Sequence, residues 1–153
     1  MAALSVNATG HQPAAPRTVS VEPATVKEGT GRVHCHHVHC PRYTSMKFHV
    51  VLSRAFNRPV WVKLHTIDGT ATQPSDYIKR AAKVVILAHH LSTTFTVHVV
   101  RDSTPELDEL LYAKISAARV AVATRVAIGT ILNDDGPART AISRPGPAWD
   151  GSI

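Results

Sequence analysis

Seven carboxylates carry the chemistry that can be expected of this sequence. They are Glu28, Asp76, Asp102, Glu106, Glu109, Asp134 and Asp135, out of only 11 Asp and Glu in a chain whose 17 Lys and Arg give a formal charge of +6. Each lies in a segment that joins or follows candidate strands, and a count of strand directions brings them together. Suppose successive strands run antiparallel and strand 60–67 runs up, delivering Asp76 to the loop above it. Strand 83–88 then runs down, and strand 93–100 runs up and stops just before Asp102. Strand 110–116 runs down from just after Glu106 and Glu109, and the last strand runs up to Asp134 and Asp135. Strand 47–52 runs down, so Glu28, which precedes it, is also at the top. Like charges gathered at one end repel and raise one another's pKa, and a cation offsets that cost. Calcium fits best, because it takes six to eight oxygens in the flexible geometry that loops offer. Magnesium wants a stricter octahedron and keeps its waters. The plain alternative is a set of loop acids that are simply solvated.

A second stretch has a different chemistry. His34, Cys35, His36, His37, His39 and Cys40 fall within seven residues, and thiolates and imidazoles suit zinc or copper. The spacing matches no recognised zinc pattern, and an extended run does not converge its ligands without a turn. A solvated loop is the alternative, as is a Cys35–Cys40 disulfide in an oxidising compartment.

The elements that position these groups read as strands. Phe48, Val50 and Leu52 alternate with more polar neighbours. So do Val60, Val62 and Leu64, then Phe95, Val97 and Val99, then Leu111, Ala113 and Ile115. A period of two marks half-buried strands. Val84 to Ala88 adds a continuous apolar run, and 121–132 ends in Ile131-Leu132. Val19 to Val26, interrupted by Pro23, fits an edge strand. The Ala-rich part of 113–127 is read as strand because β-branched residues recur in it and Gly129 would fall inside a helix. Seven strands then predict an all-β, antiparallel sandwich. Residues 1–16 and the Pro/Gly-rich 137–153 read as disordered tails around a domain at 17–136. His49, His65 and His98 fall on the polar phase and are expected to face solvent. Trp61 is expected to pack beneath a loop.

Several classes are disfavoured. The chain has no apolar run of about 18 residues, the length needed to span a bilayer, and no secretory signal is visible. There is no GxSxG elbow, phosphate-binding Gly-rich loop or HExxH helix. Asp76 and Glu106 could pair as acid and base, but a small sandwich offers no deep pocket, so the expectation is a non-enzyme. The basic excess supports a polyanion-binding module as an alternative. No dense basic run with interleaved aromatics occurs, so nucleic acid is the weaker form of it.

The motifs themselves resemble the Calx-beta domain family. Asp68-Gly69-Thr70-Ala71-Thr72 followed by Ser75-Asp76-Tyr77 is similar to its DGTA…SDY signature. Val99-Val100, Asp102, Glu106 and Asp108-Glu109 resemble its acidic loop, and Gly129-Thr130-Ile131-Leu132-Asn133-Asp134-Asp135 its terminal strand. Lys27-Glu28-Gly29 and Val50-Val51-Leu52-Ser53-Arg54 add two further pieces, so that the likeness runs over about 18–136, with the His/Cys stretch at about 33–43 as an insert. The resemblance implies an immunoglobulin-like β-sandwich that serves as a calcium-binding or adhesive, non-enzymatic module. The implied calcium ligands are the same seven acids, with Asn133 where some members carry another acid. Neighbouring domains or cell-surface proteins are the implied partners, with roles in cell adhesion and communication at an extracellular or membrane-associated location. Two departures matter. Arg101 stands where an acid is frequent and is expected to pair with the acids in place of one ion. His89-His90 replaces a Pro-Gly turn.

Overall fold

The computed structural model describes residues 14–31 and 42–136. Nine strands occur among them: β1 (Thr18–Val21), β2 (Ala24–Lys27), β3 (Tyr43–Leu52), β4 (Val60–Asp68), β5 (Ala81–Ile86), β6 (Ser92–Val100), β7 (Glu109–Ala118), β8 (Ala121–Thr124) and β9 (Val126–Leu132). One sheet has the order β6-β3-β1-β8 and the other β2-β9-β7-β4-β5. The expected β-sandwich is present, and no helix occurs among the described residues.

The difference from seven strands lies at two places where the chain changes sheet. The 19–26 segment is two strands, divided at Pro23. Proline has no N–H to give to a ladder, and at this break the chain crosses from one sheet to the other. β1 is therefore not an edge strand. It lies between β3 and β8, and of the two halves of the segment only β2 is at an edge. The 121–132 segment divides in the same way into β8 and β9. Both crossings create parallel pairs, β1 with β8 and β2 with β9, so the sandwich is not antiparallel throughout. β3 to β7 keep the alternating directions on which the count of loops depends. The turn after β5 closes at His89, whose φ of 65° lies in the left-handed region that histidine enters more readily than most residues. Its N–H donates to Phe56 O at 2.7 Å.

Alternation holds where it was read. Phe48, Val50, Leu52, Val60, Val62, Leu64, Phe95, Val97, Val99, Leu111, Ala113 and Ile115 all face the space between the sheets and are buried. At the centre, the Phe48 and Phe95 rings stand 6.4 Å apart. Gly129 lets β9 approach this core closely: a Cβ there would stand 2.6 Å from Met46 Sδ and 2.7 Å from Phe48 Cζ. His49 and His98 are exposed, and His65 is half-buried. Trp61 departs from expectation. It is 43% exposed on the outer face, because β4 places it opposite Val85 of β5, and the Lys83 ammonium covers its ring, 4.1 Å from the centroid.

Candidate metal centre

Four segments meet at the upper end of the sandwich. They are the exit of β2, the loop between β4 and β5, the loop between β6 and β7, and the exit of β9. The exits are held together first by backbone. Glu28 N–H donates to Leu132 O at 3.0 Å, and Gly31 N–H to Asp102 O at 2.5 Å. Gly29 turns the chain between these two bonds with φ of 87°, and its N–H donates to Asp134 Oδ1 at 3.0 Å. The Arg101 side chain fills the space above it, so that a Cβ at Gly29 would stand 2.8 Å from Arg101 Nε. That Nε is buried and has no hydrogen-bond partner. The expected pairing of Arg101 with the acids is therefore not made through Nε, which packs against the turn instead.

On the second loop, the DGTA…SDY stretch works as a scaffold. Tyr77 is fully buried, and its hydroxyl donates to Asp68 Oδ1. Burial and that carboxylate push the phenol up to about 12. Val100 N–H donates to Asp76 O at 2.8 Å and Ile78 N–H to His98 O at 2.8 Å, stitching the segment onto β6. Thr72 then orients Asp76, donating to its Oδ2 from the backbone N–H at 2.7 Å and from the hydroxyl at 3.2 Å. Leu110 N–H is tied to Thr70 Oγ1 at 2.7 Å, which fixes the start of β7 and with it Glu109.

These constraints gather six acids into two groups. Glu28, Asp102 and Asp135 form one, and Asp76, Glu106 and Glu109 the other. Within each, one oxygen of every residue lies within 4.8 Å of the others. Asp102 links them, since its charge acts on Glu28 and Asp135 as well as on Glu106 and Glu109. Lost hydration raises Glu28 to about 7, with Asp102 next in effect and Glu106 and Asp135 adding to it. Glu109 also rises to about 7, through lost hydration first and then Asp76 and Glu106. Glu106 and Asp135 are raised by lost hydration and then by neighbouring charge, Glu106 by Asp102 and Asp76, and Asp135 by Asp134 and Asp102. Glu28 is 6% exposed, an acid at core depth. Asp135 Oδ2 is buried with no hydrogen-bond partner.

The other residues expected at the site act here as braces. Asn133 donates through Nδ2 to Glu106 O at 2.8 Å and Gly136 O at 3.0 Å, and its Oδ1 accepts from Asp135 N–H at 3.1 Å. Asp134 is exposed and holds Gly29. Sequence reasoning assigned no ligand or brace role to Asp108, whose Oδ1 accepts from Asn133 N–H at 3.1 Å, or to Thr72 and Thr70. The two threonines lie within the DGTAT stretch, which was the available signal. The transition-metal candidates His34, Cys35, His36, His37, His39 and Cys40 lie outside the described residues.

The comparison with known families agrees with this architecture. The Calx-beta domain model matches residues 32–135. The chain belongs to the Calx-beta domain family. The crystal structure of the apo-form Calx CBD1 domain superposes with a TM-score of 0.61 at 21% identity, over 78% of this chain and 99% of that one. The Calx CBD2 domain superposes with a TM-score of 0.52 at 12% identity, over 74% of this chain and 85% of that one. The CBD12 structure from CALX1.2 gives 0.60 at 22% identity and is covered over 46% of its length, so this Calx-beta domain spans about half of it. At these identities the likeness concerns the fold. Among curated proteins, none matches the chain in sequence. The matched range starts after β2, yet β1 and β2 belong to the sandwich and Glu28 to the acid cluster.

Proposed function

We propose that this Calx-beta domain is a non-enzymatic module that binds calcium at the upper end of the sandwich, in two adjoining positions. Glu28, Asp102 and Asp135 hold one ion, Asp76, Glu106 and Glu109 the other, and Asp102 stands between them. The observation that carries this reading is Asp135 Oδ2, a buried carboxylate oxygen with no donor, grouped with the buried Glu28 and the half-buried Asp102. A buried carboxylate oxygen left without a partner is costly, and a hard cation with oxygen ligands relieves it. Asp134 and Asn133 each keep acceptor capacity beyond the bond they make and complete the oxygen shell. Bound calcium would cross-link four segments that otherwise repel, stiffening the end that faces a neighbouring domain or a cell-surface partner.

Calorimetric titration of chelator-treated protein tests this. Calcium at a hundred times its dissociation constant is expected to add about 2.7 kcal/mol of stability per site, read as a rise in Tm. Asp102→Asn should remove most of the rise, and Asp150→Asn, in the C-terminal segment, should leave it intact. A Tm unmoved by millimolar calcium would overturn the proposal.

A further inference from the structure

The acids of this molecule are gathered towards one end of the sandwich, while its cations are spread over both. Of the acids among the described residues, all but Glu22 lie at or beside the upper end. The lower half is basic. Arg54 and Arg58 lie in the loop between β3 and β4, and Arg119 in the turn between β7 and β8. Lys63 and Lys83 point outward from β4 and β5, where they are directly opposed across the ladder. Like charges facing one another on adjacent strands destabilise a sheet, and the fold offsets this only through the contact of Lys83 with the Trp61 ring, leaving Lys63 with no such contact. Its surroundings are concave. A cavity of about 430 Å³ is lined by Trp61, Lys63, Lys83, Ala118 and Arg119. It shares Trp61 and Arg119 with a second of about 450 Å³ that reaches Arg58, and Lys63 and Lys83 with a third of about 420 Å³ that reaches His65. Among the described residues, no acid lines any of the three. At roughly 3.3 Å per strand residue, the track from Val60 to His65 is about 17 Å long, too long for one small anion and suited to a linear one.

We propose that this lower track binds a sulfated polysaccharide. Two features favour that occupant over single-stranded nucleic acid, which gains much of its affinity by stacking bases on exposed aromatic faces. The Trp61 ring face is already taken by the Lys83 ammonium at 4.1 Å. The Phe56 ring in the same lining is likewise covered, by the Arg17 guanidinium 4.8 Å from its centroid, and the rest offers cations, His65, Ser116 and aliphatic side chains such as Ala118 and Val120, which read charge along a chain more readily than the faces of bases. Sulfate esters meet the paired ammoniums of Lys63 and Lys83 and the Arg119 guanidinium, and the Trp61 ring holds the Lys83 ammonium in place.

The test uses the full chain carrying Trp149→Phe, so that Trp61 alone reports. A heparin-derived oligosaccharide should change the Trp61 fluorescence and bind with a steep salt dependence. The triple substitution Lys63→Gln, Lys83→Gln, Arg119→Gln should lower affinity at least tenfold and flatten the salt dependence by about two to three released counterions. Arg139→Gln with Arg144→Gln should leave affinity within twofold. Lys63→Gln removes a like-charge pair and Lys83→Gln gives up a cation–π contact of similar size, so the triple variant should melt within a few °C of the parent and keep its response to calcium, which separates lost binding from lost folding. The proposal is overturned if the triple variant binds within twofold of the parent, or if a single-stranded oligonucleotide of equal charge binds as tightly as the oligosaccharide.

Discussion

At the scale of single residues, the acid cluster sets a pH dependence with a definite sign. Glu28 and Glu109 are raised to about 7 in the folded chain, above the ordinary carboxylate value that they recover on unfolding. Between those values the folded state binds more protons than the unfolded one, so stability falls as pH rises. The contribution is complete below the unfolded pKa and is lost as pH passes through about 7. Chelated protein should therefore melt several °C higher near pH ~5 than near pH ~8. Saturating calcium should flatten or reverse that slope, because the ion takes the place of the protons. Glu28→Gln should raise the Tm of the chelated protein at pH ~8 and weaken calcium binding, a split that thermal melts and calorimetry read separately. The acids that meet here were legible because each stands in a loop or at a strand end on the same side of the sandwich, and strand direction is countable from alternation. Asp108 as a brace was not, because adjacent loop residues point apart and only the fold decides which of Asp108 and Glu109 faces the cluster. The Tyr77–Asp68 bond was hidden for a similar reason: a phenol's partner depends on how two strand ends are packed.

At the scale of elements, alternation identifies which face of a strand is buried but is silent about which sheet the strand joins. That is why β3, β4, β6 and β7 were legible and the two sheet changes were not. Pro23 was visible as an interruption, yet the same residue is compatible with an edge strand and with a crossover. Gly129 shows the limit from the other side. In the sequence it argued only against a helix, whereas in the fold it is the point at which β9 touches Met46 and Phe48. Gly129→Ala forces a methyl group into atoms that stand 2.6 and 2.7 Å from the Cβ position. Overpacking of this kind costs about 1–3 kcal/mol, which lowers the denaturant midpoint without a change in m-value. Since β9 carries Asp135 into the cluster, the same substitution should also weaken calcium binding, whereas Val126→Thr, on the exposed face of the same strand, should do neither.

At the scale of the whole molecule, the limits of the unit matter because its first two strands and the exit of its last serve both the core and the site. The family match begins at residue 32. A chain cut to 32–135 would lose β1 and β2. The first supplies Val19 and Val21, which are 0% and 1% exposed, and pairs with both β3 and β8. The second is the partner of β9 along Ala24 to Lys27, and it leads into Glu28 and Gly29. Removing it strips one ligand from the proposed calcium site and releases Asp134 from Gly29. Two buried valines alone are worth about 3–6 kcal/mol of burial, a large share of the roughly 5–15 kcal/mol that a domain of this size has in total. The 14–136 chain keeps all nine strands, both acid groups and the basic track. It should therefore melt within a few °C of the full chain and respond to calcium in the same way, while the 32–135 chain should show no cooperative transition in the presence of chelator. A 32–135 chain that melts cooperatively and binds calcium as the full chain does would place β1, β2 and Glu28 outside the functional unit.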